Sequence, residues 1–147
     1  MTTQTTTLPI TRQPAMNTWV RLGALAAVLG IAAVLVVQAL ALAVWPEAAQ
    51  FGPLDNYARS ALFTLVPAVA ATGLFAWLAR RRERPVGTFV RISLVVLLVS
   101  IIPDYVLPVP HRTMLASTLT ALLHVVAALV IVTVLVRGYR RETRAVR

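Results

Sequence analysis

Charged residues vanish from three long stretches of this chain. None occurs between Arg21 and Glu47, between Arg59 and Arg80, or between Arg112 and Arg137, and these gaps hold 25, 20 and 24 residues. Roughly 20 apolar residues suffice to cross about 30 Å of bilayer hydrocarbon at about 1.5 Å of helical rise each. A soluble bundle would break each stretch with polar positions every third or fourth residue, and no such stripe is present. A fourth, shorter apolar stretch runs over 92–103. The pattern predicts an all-α, integral membrane four-helix bundle with spans at about 18–45, 57–79, 88–107 and 113–136. Residues 18–138 then form one transmembrane domain, between a disordered tail at 1–17 and a basic tail at 139–147.

Two spans carry local questions. Pro67 sits in the second, where a membrane helix tolerates proline and usually bends at it. The third has only 12 charge-free residues, Ile92 to Pro103, about 18 Å of helix. To cross, it must draw in residues from its ends. Arg91 enters at little cost, since its long stem lets the guanidinium snorkel to the headgroups. Asp104 lacks that reach, and if the helix continues through it toward Pro108, its carboxylate lies at or just inside the far boundary and needs a partner.

The first span also has the small-residue triplets Ala39-Leu40-Ala41 and Ala41-Leu42-Ala43, which look like signal-peptidase sites. Its uninterrupted core exceeds the roughly 7–15 residues of a secretory signal, which favours a retained span. The tail at 1–17 is Thr-rich and has too little apolar surface to fold.

Composition sharpens this. Charged residues make up 13% of the chain, against about 25% in a soluble domain. The absence of cysteine excludes disulfides, thiolate metal sites and dithiol redox chemistry. Every cation is Arg, and Ala, Val and Leu abound, which suggests a GC-rich bacterial genome and hence a bacterial cytoplasmic (inner) membrane. Twelve of the 14 arginines would lie on one side of the four spans, with Arg59 and Arg112 on the other. That bias puts both termini in the cytoplasm. Placed beside spans, the net charge of +9 points to topology and anionic lipid, not to nucleic acid. Arg80, Arg81, Arg82 and Arg84 are the expected headgroup contacts. No extramembrane segment is long enough for a domain, so function must reside in the bundle, its short loops, or contacts with lipids and other proteins.

Few residues could carry chemistry. His124 lies about halfway along the fourth span and shares a helical face with Ser117, Thr120, Ala121 and Ala128. It reads either as a proton-relay or substrate contact, or as a neutral imidazole bonded across helices as packing glue. Asp104 follows Ser93, Leu97 and Ser100 along one face of the third span. Depth argues against its pairing with His124, which is about 16 Å down its own helix. Arg112, Arg59, His111 or a helix-start amide is the expected partner of Asp104, and Ser93 or Ser100 the expected partner of the imidazole. Gln38 is the polar residue of the first span. The spacings Gly23–Ala27 and Ala26–Gly30 suit close helix contact, within one chain or between two. No metal, cofactor or catalytic constellation is expected: one histidine in the hydrocarbon cannot supply three or four ligands. His111 and His124 are 13 residues apart, too far along one helix for a shared haem.

The segment Arg91-Ile92-Ser93-Leu94-Val95-Val96-Leu97-Leu98-Val99-Ser100-Ile101-Ile102-Pro103, followed after a short loop by Thr118-Leu119-Thr120-Ala121-Leu122-Leu123-His124-Val125-Val126-Ala127-Ala128, resembles an actinobacterial four-span membrane family, domain of unknown function 6069. The resemblance implies a family-wide place for Pro103 and His124 and carries no activity. The functional expectation is a non-enzymatic membrane protein acting through helix packing with itself or membrane partners. The alternative is a small transporter, channel or transporter subunit with a polar path near His124.

Overall fold

The computed structural model of the chain describes residues 14–145. Helices α1 (Met16–Val44), α2 (Tyr57–Arg81), α3 (Pro85–Val106) and α4 (Met114–Ala145) follow one another, with a short 3-10 helix, Pro46–Gln50, between α1 and α2. All four α-helices are long and apolar enough to cross a membrane, and no strand occurs among the described residues. The chain is thus an all-α bundle of membrane-spanning type. The helices alternate in direction. One end, here the arginine-rich end, holds the start of α1, the α2–α3 turn and the end of α4. The other, here the distal end, holds the connections at 45–56 and 107–113.

Proline and capping side chains set the helix limits. α1 stops at Trp45, which precedes Pro46 and so leaves the α region (ψ 76°). Asn56 caps α2, its Oδ1 accepting from the Ala58 N–H at 2.8 Å and the Arg59 N–H at 3.3 Å. α2 runs without interruption through Pro67. Pro85 opens α3 at a first-turn position where a missing N–H costs nothing. α3 then takes in Arg91 at one end and both Pro103 and Asp104 at the other, stopping just before Pro108. Its 22 residues span about 33 Å, so the short third span is resolved by extension at both ends. His111 turns the chain into α4 with φ 57°, and the Thr113 hydroxyl caps α4 at the Ala116 N–H, 3.1 Å.

The tails differ from expectation where they are described. α1 begins at Met16, inside the expected N-terminal tail, and α4 continues to Ala145. The remaining tail residues, 1–13 and 146–147, lie outside the described residues. Tyr139, in the last turns of α4, is packed at the arginine-rich end. It stacks on Trp19 at 5.9 Å between ring centroids and meets Phe75 at 5.2 Å. Arg and Glu beyond it are good helix formers.

Each helix contributes one aromatic side chain to that cluster: Trp19, Phe75, Phe89 and Tyr139. Phe75 is fully buried, edge-on to Trp19 at 5.5 Å and stacked on Phe89 at 4.4 Å. At the distal end Ala48, Phe51 and Leu54 fold back beneath the connection and pack on Val34, Ala41, Ala116, Leu119 and Leu123. Between these plugs the small residues of α1 allow close approach. A side chain at Gly23 would meet Thr72 of α2, and one at Gly30 would meet Ile131 of α4 and Thr64 of α2. These contacts are therefore made within one chain. α3 is the least enclosed helix, with Leu94, Val95, Val96, Leu98 and Val99 all exposed. Such a surface suits contact with lipid or with another membrane helix.

Candidate functional site

Asp104 and His124 come together, contrary to the expectation from depth. His124 Nδ1 lies 3.4 Å from Asp104 Oδ2. The α3–α4 hairpin sets the register: the Ser117 hydroxyl donates to the Asp104 carbonyl at 2.6 Å, and the Tyr105 hydroxyl donates to Thr118 Oγ1 at 3.2 Å. Asp104 is thus level with Ser117, two helical turns from His124, about 10 Å of rise. Side-chain direction closes this gap. Helical side chains lean toward their own N-terminus, so in antiparallel neighbours Asp104 leans into the bundle while His124 leans toward the distal end. Counting rise between backbone positions overstates the separation of such a pair.

The contact is close without being a well-aligned hydrogen bond. His124 Nδ1 is also 3.0 Å from the Thr120 carbonyl oxygen. A carbonyl only accepts, so Nδ1 carries the proton and Nε2 is the free edge of the ring. The Nδ1–H is directed at Thr120, and Asp104 Oδ2 has no hydrogen-bond donor among the described residues. The Asp104 side chain is only 9% exposed and that of His124 37%. A buried carboxylate oxygen therefore has an imidazole as its nearest ionisable neighbour, and that imidazole is anchored independently by the main chain.

The partners expected for these two residues are engaged elsewhere. Arg59 pairs with Asp55 at 3.0 Å and also donates to the Gly52 carbonyl. Arg112 donates to the Tyr105 carbonyl, and His111 is exposed in the turn. The Ser100 hydroxyl returns to the Leu97 carbonyl at 2.8 Å, and Ser93 stands half-buried further along α3. Neither serine meets the imidazole. Gln38 is wholly buried, but its Nε2 donates to the Leu54 carbonyl in the distal connection at 3.0 Å and not to a neighbouring helix. Its Oε1 has no hydrogen-bond partner among the described residues.

Arg80, Arg81, Arg82 and Arg84 are all exposed where α2 turns into α3. No group of three or more His, Asp or Glu side chains able to hold a metal comes together among the described residues. Two members of the distal network, Tyr105 and Thr118, escaped the sequence. Their signal was the seven-residue connection 107–113, short enough to lay the last turn of α3 against the first turns of α4.

What the seam can do chemically is limited and specific. Asp104 can take or give a proton, and His124 can do so at Nε2 while Thr120 holds the ring. No curated protein and no solved structure matches the chain. Residues 14–141 match the family of unknown function DUF6069, and the chain belongs to that family.

Proposed function

We propose that this chain is a small, non-enzymatic membrane protein that handles protons at the α3–α4 seam, as a transporter or transporter subunit. Asp104 and His124 are the exchanging groups. The observation that carries this is Asp104 Oδ2, buried without a hydrogen-bond donor and 3.4 Å from His124 Nδ1. A buried carboxylate with an unfilled acceptor is costly in hydrocarbon and marks ion or proton handling.

The leading expectation from the sequence, action through helix packing with itself or a membrane partner, draws less support. The close-contact glycines Gly23 and Gly30 are taken up by α2 and α4 of the same chain. In the same proposal the protein sits in a bacterial cytoplasmic membrane with both termini inside, as the arginine bias requires. Arg80, Arg81, Arg82 and Arg84 then meet anionic headgroups at about 1 kcal/mol each. A reporter fused after Arg84 should remain cytoplasmic, and a periplasmic reporter would reverse this orientation.

The functional test compares His124→Gln with His124→Ala in a strain lacking the chromosomal copy. Glutamine replaces the hydrogen bond to Thr120 but cannot accept a proton. A folded His124→Gln protein that fails to complement supports proton handling. Full complementation by His124→Gln reduces His124 to a hydrogen-bonding strut and defeats the proposal.

A further inference from the structure

The pair is not placed evenly between the two ends of the bundle. Asp104 is two residues from the end of α3 at Val106, about 3 Å of helix. Polar groups continue from it to the distal surface. Ser117 donates to its carbonyl, Tyr105 donates to Thr118 Oγ1, and the exposed Arg112 guanidinium donates to the Tyr105 carbonyl.

The other direction has fewer polar groups, the half-buried Ser93 of α3 and Thr133 of α4 among them. From His124 to Arg137 is 13 residues, about 20 Å, and residues 125–132 of α4 include no polar side chain. α1 has none from Ala24 through Val37. On α2, the Thr64 and Thr72 hydroxyls are closed onto the Ser60 and Ala68 carbonyls at 2.8 and 2.7 Å. On α3, the Ser100 hydroxyl is likewise closed onto Leu97. Beyond them the Trp19, Phe75, Phe89 and Tyr139 rings seal the arginine-rich end.

Resting on the proton-handling reading above, we infer that the Asp104–His124 pair exchanges protons with water at the distal end alone. It is a loading site closed toward the arginine-rich end. A hydronium ion from the distal side gives its proton to Asp104 Oδ2 and leaves as water. The carboxylate becomes a carboxylic acid, and the charge of the pair rises by one. Release is the reverse step to the same side. The charged and titratable groups at this end are Tyr105 of α3, Arg112 and His111 of the α3–α4 connection, Tyr57 and Arg59 of α2 with Asp55, the partner of Arg59, and Glu47 of the 3-10 helix. α1 contributes none there. Such a site loads a proton without conducting it, so the chain in this conformation is not an open proton channel.

The test uses the full chain, 15N-labelled at histidine and inserted in one direction in proteoliposomes, with the pH set separately on each side. His111 is exposed at the distal end and reports the pH there, and loss of a signal in His124→Gln assigns the other resonance. The pH is stepped across the range in which histidines change charge, about pH 5 to 8. Distal steps should move both ring-nitrogen signals, and steps at the arginine-rich end should move neither. A His124 signal that follows the arginine-rich side, or both sides, overturns one-sided access and leaves the proton-handling reading standing. A His124 signal that moves with neither defeats that reading, and this inference with it. The same vesicles should hold an imposed pH gradient as long as protein-free vesicles do, and rapid collapse would contradict a closed site.

Discussion

Removing Asp104 and removing His124 should cost unequal amounts, although each deletes half of one contact. After Asp104→Leu, His124 keeps the Thr120 carbonyl at 3.0 Å and loses only the neighbour at 3.4 Å. Two unit charges at that separation attract by about 5 kcal/mol at an effective dielectric of about 20. This is an upper limit, because the cost of desolvating both charges has not been subtracted. Polar pairs in membrane bundles measure about 0.6 kcal/mol on average and about 1.7 at most. The expected cost of Asp104→Leu is therefore about 1 kcal/mol.

His124→Leu is different, since it takes the nearest ionisable neighbour from a carboxylate that is 9% exposed. Orphaning one member of a buried pair costs about 3–5 kcal/mol, eased toward about 2–3 if the carboxyl takes up a proton. The double variant removes both polar groups and should be within about 1 kcal/mol of the natural protein, or more stable. Unfolding free energies measured in lipid bilayers give all four corners of the cycle. Additive costs would refute this reasoning, because they would make each residue an independent stabilising strut.

Other consequences follow from packing. Phe75→Ala removes a fully buried ring with three aromatic neighbours and should cost about 2–4 kcal/mol in the same unfolding assay. Phe63→Ala, on the same helix but 70% exposed, should change it by less than about 0.5. A methyl at Gly23 would lie 2.8 Å from Thr72 Cγ2, so Gly23→Ala should destabilise by about 1–3 kcal/mol. Gly73 has nothing within 4 Å, so Gly73→Ala should gain up to about 1 kcal/mol of helix propensity. Gln38→Leu removes the donor to the Leu54 carbonyl, and hydrogen exchange should quicken in the distal connection around Leu54 while the Phe75 cluster keeps its protection.

Much of the architecture was open to inspection in the chain, and the failures have distinct causes. Gaps in charge located all four spans because hydrocarbon excludes ions whatever the tertiary packing. They could not show where helix stops outside the bilayer. α4 persists to Ala145, and Tyr139 in its last turns is held against Trp19 and Phe75, a long-range contact that an arginine-rich segment does not advertise. Gly23 and Gly30 announced close approach, but whether the partner was α2 or a second chain depends on the arrangement of the whole bundle.

At the seam, Asp104 and His124 were legible as the two unusual residues and illegible as a pair. Helical rise fixes only the backbone positions, and the lean of each side chain toward its own N-terminus brings the two groups together. Thr120 was seen only as a small polar neighbour, since its contribution is a main-chain carbonyl that no side-chain inventory contains. Gln38 likewise found a loop carbonyl, at Leu54, and not a helix partner.

Infrared difference spectroscopy across a pH step, in lipid, addresses the Asp104–His124 pair most directly, since a buried carboxyl gives a carbonyl stretch distinct from those in water. The protein should show one such band on acidification. It should vanish in Asp104→Asn, shift in His124→Gln, and keep its position when Ser100 or Ser93 is replaced by alanine. A carboxyl band indifferent to His124, or no Asp104 band at all, would mean that the two residues share a seam but not a proton.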